Sequence, residues 1–240
     1  MAVVCPRASC FESFCPATIG ARGGGYNRFR EAGRRMEGTG GKTHDGVEDM
    51  LRRLRHLALA ALCLTTLQVH AESLDKSRAI AGQLLDNIDQ TTWIAEGTGK
   101  HLIYIFFDPN CPYCHKLYES LRPLIAANDL QLRWIPVGLL TASSPAKAAA
   151  ILQADNPLQA FHDNEDNFNF NDSSPGGGID QVATVSDKTR LDLAANLSVL
   201  QGQNLFVVPV AVFRASDGHG FMFQGAPPDE TLKALLQYVQ

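Results

Sequence analysis

The sequence predicts an α/β fold in which a helical insertion separates a βαβ unit from a β-hairpin. A continuous apolar run at 102–107, rich in β-branched and aromatic residues, is typical of a buried central strand. A turn, an amphipathic helix and a second apolar segment at 131–140 follow it, which is the order of a βαβ unit. Near the C-terminus, two short apolar segments flank Asp217-Gly218, a pair of residues that favours a hairpin turn.

Composition agrees with a globular chain that buries a hydrophobic core. Of the 240 residues, 45% are hydrophobic and 19% are charged, which excludes a disordered, collagen-like or coiled-coil chain. The charges are unevenly distributed, because residues 1–71 carry 10 Lys and Arg against 6 Asp and Glu, whereas residues 72–240 carry 11 against 19. An acidic body lacks the basic surface that phosphates require, so no nucleic-acid partner is expected.

Residues 50–71 are predicted to form a cleavable signal peptide. A basic cluster at 52–55 precedes an apolar run at 57–67, and Val69-His70-Ala71 supplies small or apolar residues before a cleavage site after Ala71. The run is too short for a membrane span, which needs about 20 apolar residues. We therefore expect residues 72–240 to be released into the periplasm as the working domain.

Residues 1–49 are predicted to be a disordered, non-native extension upstream of a true start at Met50. They are rich in glycine and arginine and show no helical or strand periodicity. One alternative is a metal or redox element formed by cysteines 5, 10 and 15, although their spacing does not match C-x-x-C. A second alternative is lipidation of Cys63, which the bulky Leu62 before it disfavours.

Within 72–240, apolar spacing and capping residues place the remaining elements. The predicted helices are 73–96, 111–127, 186–200 and 228–240, and the predicted strands are 102–107, 131–140, 210–214 and 221–224. The insertion, at about 143–201, also starts helices at Ser144-Pro145 and Asn156-Pro157, each a capping residue before a proline. Segment 164–178 is polar and glycine-rich and is expected to be a mobile loop. The acids in and beside it, which do not match calcium-loop spacing, are expected to be solvated: Asp163, Glu165, Asp166 and Asp172.

The predicted chemistry lies in Cys111-Pro112-Tyr113-Cys114, at the start of a helix directly after the buried strand. Unsatisfied N–H groups and the positive end of the helix dipole stabilise a thiolate there. Cys111 is therefore the expected nucleophile with a lowered pKa. Cys114, one turn later, is expected to be more buried and to resolve the mixed disulfide. No cofactor and no metal are expected.

Other interpretations of the two cysteines remain open at this stage. With His115 the motif reads C-x-x-C-H, the attachment pattern of c-type haem, although Pro112 favours a tight helix start. A structural disulfide across four residues would add little stability. Zinc would need further ligands that the scattered histidines do not supply at the right spacing. The alternative to an enzyme is a non-catalytic domain that binds a peptide or metal without turnover. His115 is also a candidate to stabilise the Cys111 thiolate.

Residues 107–114, which read Phe-Asp-Pro-Asn-Cys-Pro-Tyr-Cys, resemble the active-site segment of the periplasmic thiol:disulfide interchange proteins of the DsbG/DsbC type. Segments 130–138 and 144–152 are similar to the strand and first inserted helix that follow in that family. The resemblance covers about 95–240 and implies a thioredoxin-like fold with a helical insertion. It also implies a cis peptide bond at Pro209, beside which the backbone of Val208 binds extended substrate.

The resemblance further implies disulfide exchange with cysteine-containing exported proteins, as an oxidase, isomerase or reductase. The expected membrane partner is a DsbD-like reductant or a DsbB-like oxidant, and Pro112, Tyr113 and His115 are expected to tune the redox pair. Only about 39 residues separate Ala71 from Cys111, too few for the family's dimerisation domain, so a monomer is expected.

Two positions depart from related proteins. The isomerases usually carry threonine at the position of Val208. A valine there resembles the monomeric oxidase DsbA instead. Ile105 occupies the place of the buried acid of thioredoxins, six residues before the nucleophile, so the proton of Cys114 would need water or another group as its acceptor.

Overall fold

The computed structural model describes residues 44–171 and 175–240, of which 44–48 and 58–73 are described by their backbone alone. Most of the predicted upstream extension, together with Asp172, lies outside the described residues. The chain divides into two compact units, 1–54 and 55–240. In the first, the described residues are helical; the second contains the sheet, its helices and both cysteines of the predicted motif. No helix in the described ranges combines the length and apolar character needed to cross a bilayer.

Helices and strands alternate along the described part of the chain as an α/β fold. The helices are α1 (His44–Asp86), α2 (Pro112–Leu121), α3 (Ser144–Gln153), α4 (Pro157–Asp166), α5 (Asp187–Gln201) and α6 (Asp229–Leu236). The strands are β1 (Ile94–Glu96), β2 (His101–Phe107), β3 (Leu130–Pro136), β4 (Val210–Arg214) and β5 (Gly220–Gln224). Two short 3-10 helices, Ile88–Gln90 and Arg122–Leu124, complete the set.

The five strands form one mixed sheet in the order β1-β3-β2-β4-β5. β2 lies at its centre and pairs in parallel with β3, with Ile103 opposite Leu132. The β1–β3, β2–β4 and β4–β5 pairs are antiparallel. The predicted βαβ unit and C-terminal hairpin are therefore confirmed, and the C-terminal end of the central strand leads directly into the cysteine motif.

Alternate residues of β2 pack into two separate cores, as expected for a central strand that is buried on both faces. Ile103, Ile105 and Phe107 lie in the core that includes residues of α2, α3, α4 and α6. Tyr104 and Phe106 face the opposite core, which includes the C-terminal part of α1 and residues of α5. The sheet is thus covered on both faces, which leaves its C-terminal edge to carry the motif.

Several predicted boundaries are wrong. The helix predicted at 73–96 ends at Asp86, because Ile94–Glu96 forms an edge strand paired with β3. The helix predicted at 111–127 ends as an α-helix at Leu121, because a proline follows at 123 and cannot donate an N–H to the helix. The strand predicted at 131–140 runs only over Leu130–Pro136, and the helix predicted at 228–240 runs over Asp229–Leu236.

The insertion also differs from its prediction. Asn156 caps α4 as expected, but Ser144 is itself helical, and Ser143 stands at the N-cap of α3. Segment 164–178 is not a simple loop, because α4 continues through Asp166 and an antiparallel bridge joins Asn169 to Gly176. This difference matters for the site, since it buries Glu165, which the sequence suggested was solvated.

Candidate active site

Cys111 is the N-cap of α2, and its sulfur accepts a hydrogen bond from the backbone N–H of Cys114 at 3.2 Å. Pro112 occupies the first turn, where a missing N–H costs nothing because that group would have no helical partner. Both cysteines are free thiols, and both are buried, with exposed fractions of 2% for Cys111 and 1% for Cys114. Tyr113 between them is 62% exposed.

The two thiols have opposite electrostatic environments. The hydrogen bond with Cys114 and the backbone N–H groups of Tyr113 and Cys114 lower the pKa of Cys111, against the opposing effects of burial and the charge of Asp108. Burial, followed by the interaction with Cys111 and the charge of Glu165, raises the pKa of Cys114 well above its ordinary value. The arrangement therefore favours a thiolate at Cys111 and a protonated thiol at Cys114.

The peptide bond between Val208 and Pro209 is cis, which confirms the geometry implied by the resemblance. The Cys111 sulfur lies 3.6 Å from the Val208 carbonyl oxygen, to which the protonated thiol donates a weak hydrogen bond. The structure thus brings the nucleophile, at the start of its helix, next to the cis-proline loop, which lies 97 residues further along the chain.

A buried carboxylate that the sequence analysis did not single out anchors the turn before Cys111. Asp108 is completely buried and accepts four hydrogen bonds, from the backbone N–H groups of Asn110, Leu139 and Leu140 and from the Ser144 hydroxyl, at 2.7–2.9 Å. These bonds fix the turn against the segment between β3 and α3. No periodicity marks such a residue, because three of its four partners lie more than 30 residues away in sequence.

His115 and Glu165 form a second group beside the cysteines. Nδ1 of His115 lies 3.5 Å from Oε2 of Glu165, and Nε2 lies 3.4 Å from the exposed Glu119. Contact with Glu165 raises the pKa of His115, and burial raises the pKa of Glu165. The ring of His115 also packs against Phe168 and Phe170, at 4.9 and 5.2 Å between ring centroids.

The prediction that the acids of this segment are solvated is wrong for Glu165, which is 1% exposed. Asp166 is exposed but accepts hydrogen bonds from Tyr118 and Arg122, and Asp163 accepts one from Gln159. A signal for Glu165 does exist, because Leu158, Phe161 and Glu165 follow one face of the helix that Asn156-Pro157 begins. The polar composition of the segment concealed it.

The surroundings of His115 also bear on the alternative ligand sites. A c-type haem would use this histidine as an axial ligand, but its two ring nitrogens face carboxylates and its ring faces aromatic side chains. The pocket therefore does not fit a haem iron. Over the described part of the chain, no three His, Cys, Asp or Glu side chains are grouped to hold a metal ion.

Comparisons with known proteins agree with this geometry. A family model described as a thioredoxin-like domain matches residues 88–240. Thiol:disulfide interchange protein DsbG of Pseudomonas aeruginosa is 31% identical over 159 residues, covering 65% of this chain and 60% of that protein. DsbG of Escherichia coli is 26% identical over 158 residues, covering 64% and 60%. The chain therefore spans about 60% of the length of these curated relatives.

A solved structure of a linker-deletion mutant of Proteus mirabilis ScsC shares the fold, with a TM-score of 0.52 and 18% identity over 76% of this chain and 93% of that one. The predicted thioredoxin-like fold and the resemblance to proteins of the DsbG type are thus confirmed.

Proposed function

The chain belongs to the family of thioredoxin-like domains, and from this premise we propose that it is an exported thiol:disulfide oxidoreductase that exchanges disulfides with cysteine-containing proteins. One observation carries the proposal: the Cys111 sulfur lies between the helix N–H of Cys114 and the carbonyl oxygen of Val208. The similarity of the chain to proteins named thiol:disulfide interchange protein DsbG supports the same activity.

The exchange proceeds in two steps. The Cys111 thiolate attacks one sulfur of a substrate disulfide, a mixed disulfide forms, and the other substrate sulfur leaves as a thiolate that takes up a proton. The Cys114 sulfur then attacks Cys111, loses its own proton and releases the second substrate thiol. The substrate is thereby reduced and the Cys111–Cys114 pair is oxidised; the reverse sequence oxidises a substrate dithiol.

The cis-proline loop and the motif residues have supporting roles in this proposal. A substrate strand that runs beside the cis-proline loop pairs with the backbone of Val208, as in strand addition. Pro112 and Tyr113 set the start of α2, and His115 sets the charge next to Cys114, so all three tune the redox pair. The exposed Tyr113 offers an apolar contact to the substrate.

Direction and compartment follow as parts of the same proposal. Residues 50–71 act as a signal peptide, and residues 72–240 act in the periplasm as a monomer. A DsbD-like reductant or a DsbB-like oxidant in the membrane recharges the pair. The thiol state in the cell decides the direction: acid quenching and mass-tagged alkylation give mostly disulfide for an oxidase, and mostly free thiols for a reductase or isomerase.

The test of the proposal is substrate trapping with Cys114→Ser. This variant forms the mixed disulfide but lacks the sulfur that resolves it, so thiol-sensitive adducts accumulate on Cys111. The matched control Cys111→Ser, whose other thiol is buried and protonated, forms none. Insulin reduction by the unmodified protein completes the test. A non-catalytic binding module would trap nothing and would not reduce insulin, and that result would refute the proposal.

A further inference from the structure

Three buried polar atoms without a hydrogen-bond partner lie together beside the cysteine motif. They are Nδ1 of His115, Oδ1 of Asn164 and Oε2 of Glu165; a fourth in the described part of the chain, Nδ1 of His101, lies at the start of β2. Buried polar atoms are normally paired, because an unpaired one costs about 1–3 kcal/mol. Two of the three, Nδ1 of His115 and Oε2 of Glu165, face each other at 3.5 Å without forming a hydrogen bond, so the proton between them is not held in a closed pair.

The carboxylate of Glu165 is firmly attached to the active-site turn. Its Oε1 accepts a hydrogen bond from Nδ2 of Asn164 at 3.0 Å, and the same amide donates to the Pro109 carbonyl oxygen at 3.1 Å. Gly177 N–H donates to the same carbonyl, and a side chain at this glycine would collide with Asn164. Of the two carboxylate oxygens of Glu165, Oε2 has no hydrogen bond, and it lies 3.5 Å from Nδ1 of His115, the residue directly after Cys114.

Cys114 requires a proton acceptor that the usual position does not supply. The thiol is almost completely buried, and its raised pKa means that few molecules carry a Cys114 thiolate at neutral pH. Ile105 occupies the position at which thioredoxins carry a buried acid. Glu165 contacts His115, the residue next to Cys114 in α2, at 3.5 Å, and its charge raises the pKa of Cys114. Burial raises the pKa of Glu165, which makes it a stronger base than an exposed carboxylate.

We propose that the buried Glu165–His115 pair accepts the proton that Cys114 loses in the resolving step, with Glu165 as the base and His115 as its positioning residue. The inference rests on the proposed function, because it assigns one step of the same dithiol exchange. In that step the S–H bond of Cys114 breaks, its proton goes to the pair, and the sulfur bonds to Cys111. The bond from Cys111 to the substrate sulfur breaks, and the substrate leaves as a thiolate.

Other charges near the pair are placed differently. Glu119 faces the opposite nitrogen of His115 from the same helix and is exposed to solvent, and Asp166 follows Glu165 on α4 and is paired with Arg122. Asp108 acts on Cys111, where its charge opposes ionisation, and its carboxylate is already occupied by four donors. Glu165 is therefore distinguished by a buried carboxylate oxygen with no hydrogen bond.

The experiment separates the two thiol steps with 5,5′-dithiobis(2-nitrobenzoate). Added to the reduced protein in stopped flow, this disulfide gives one thionitrobenzoate when Cys111 attacks it, and a second when Cys114 resolves the mixed disulfide. Each rate is measured from pH 5 to 9 for the unmodified protein, for Glu165→Gln and for the control Glu119→Gln. Glutamine keeps the size of Glu165 and an oxygen for Asn164 but is not a base.

We expect Glu165→Gln to slow the second release at least tenfold at pH 6, within the range of general base catalysis, with the first release changed less than twofold. Glu119→Gln leaves the second release within about twofold, because an exposed carboxylate does not serve a buried thiol. If Glu165 acted only through its charge, its removal would lower the pKa of Cys114 and speed the second release. An unchanged or faster second release overturns the inference.

A measurement on the unmodified protein covers the case in which Glu165→Gln does not fold. With an internal base, the rate of the second release levels off above the pH at which the pair loses its proton. Without one, the rate rises tenfold per pH unit up to the pKa of Cys114, and that profile overturns the inference. Failure of the proposed function gives a different result from failure of this inference. Trapping with Cys114→Ser and insulin reduction would then fail, whereas both thionitrobenzoate release phases would remain.

Discussion

Replacing Asp108 by asparagine should weaken the fold and at the same time make Cys111 a stronger acid. The carboxylate is completely buried, and all four of its hydrogen-bond partners donate to it. An amide has only one oxygen, so its NH2 group must face either the N–H groups of Leu139 and Leu140 or that of Asn110. At least one buried donor then loses its partner, and the remaining bonds lose their charge.

An orphaned buried donor costs about 1–3 kcal/mol, and hydrogen bonds to a charged group contribute about 1.5–3 kcal/mol each. The free energy of unfolding should therefore fall by about 2–4 kcal/mol. The negative charge of Asp108 raises the pKa of Cys111. Its removal should move the midpoint of Cys111 alkylation to lower pH. The variant is therefore less stable but has a more acidic Cys111 thiol.

Urea unfolding of the reduced protein measures the first effect, and the pH dependence of iodoacetamide labelling measures the second. The matched control is Asp155→Asn, at an exposed position between α3 and α4, for which the free energy of unfolding should stay within about 0.5 kcal/mol of the original. An unchanged urea midpoint for Asp108→Asn, or a Cys111 midpoint at higher pH, would refute the reasoning.

Three further predictions concern the thiols, the core and the N-terminus. Iodoacetamide should label Cys111 with a midpoint below the ordinary thiol value, because its thiolate persists as the pH falls, while Cys114 stays unlabelled until the protein unfolds; equal labelling contradicts the assigned roles. Phe161→Ala should lower the free energy of unfolding by about 3–5 kcal/mol in urea, since Phe161 is completely buried; Leu191→Ala, at a 71% exposed residue, should change it by less than about 0.5 kcal/mol. Mass spectrometry of the exported protein should find an N-terminus at Glu72, and size-exclusion chromatography should find a monomer; an uncleaved chain or a dimer would contradict these expectations.

Much of the fold was predictable from local sequence patterns. The strand at 102–107 is apolar on both faces and β-branched, so only a central strand fits it, and the hairpin at 210–224 has its turn residues between two apolar segments. The edge strand at Ile94–Glu96 was missed because three residues carry no period, and its pairing partner lies almost 40 residues away. The end of α2 was missed because apolar spacing continues past a proline.

The cysteine motif was predictable for the same reason. Helix start, proline and the two thiols are contiguous, so their mutual geometry is a local property of one helical turn. Pro209 was identified only through the resemblance, since nothing in its own neighbourhood points to Cys111. Glu165 was assigned to solvent, because polar neighbours indicate a loop unless the helical face it shares with Phe161 is followed.

Local sequence patterns were therefore sufficient to predict the fold class, the position of the dithiol and which of its two sulfurs is the nucleophile, because these features depend on short-range order along the chain. The tertiary structure decided what surrounds them. It placed the Asp108 carboxylate among four donors, the Val208 carbonyl at the Cys111 sulfur and the Glu165 carboxylate at His115. These contacts join segments 30 to 100 residues apart, and burial changes the pKa of each thiol only once those segments have packed.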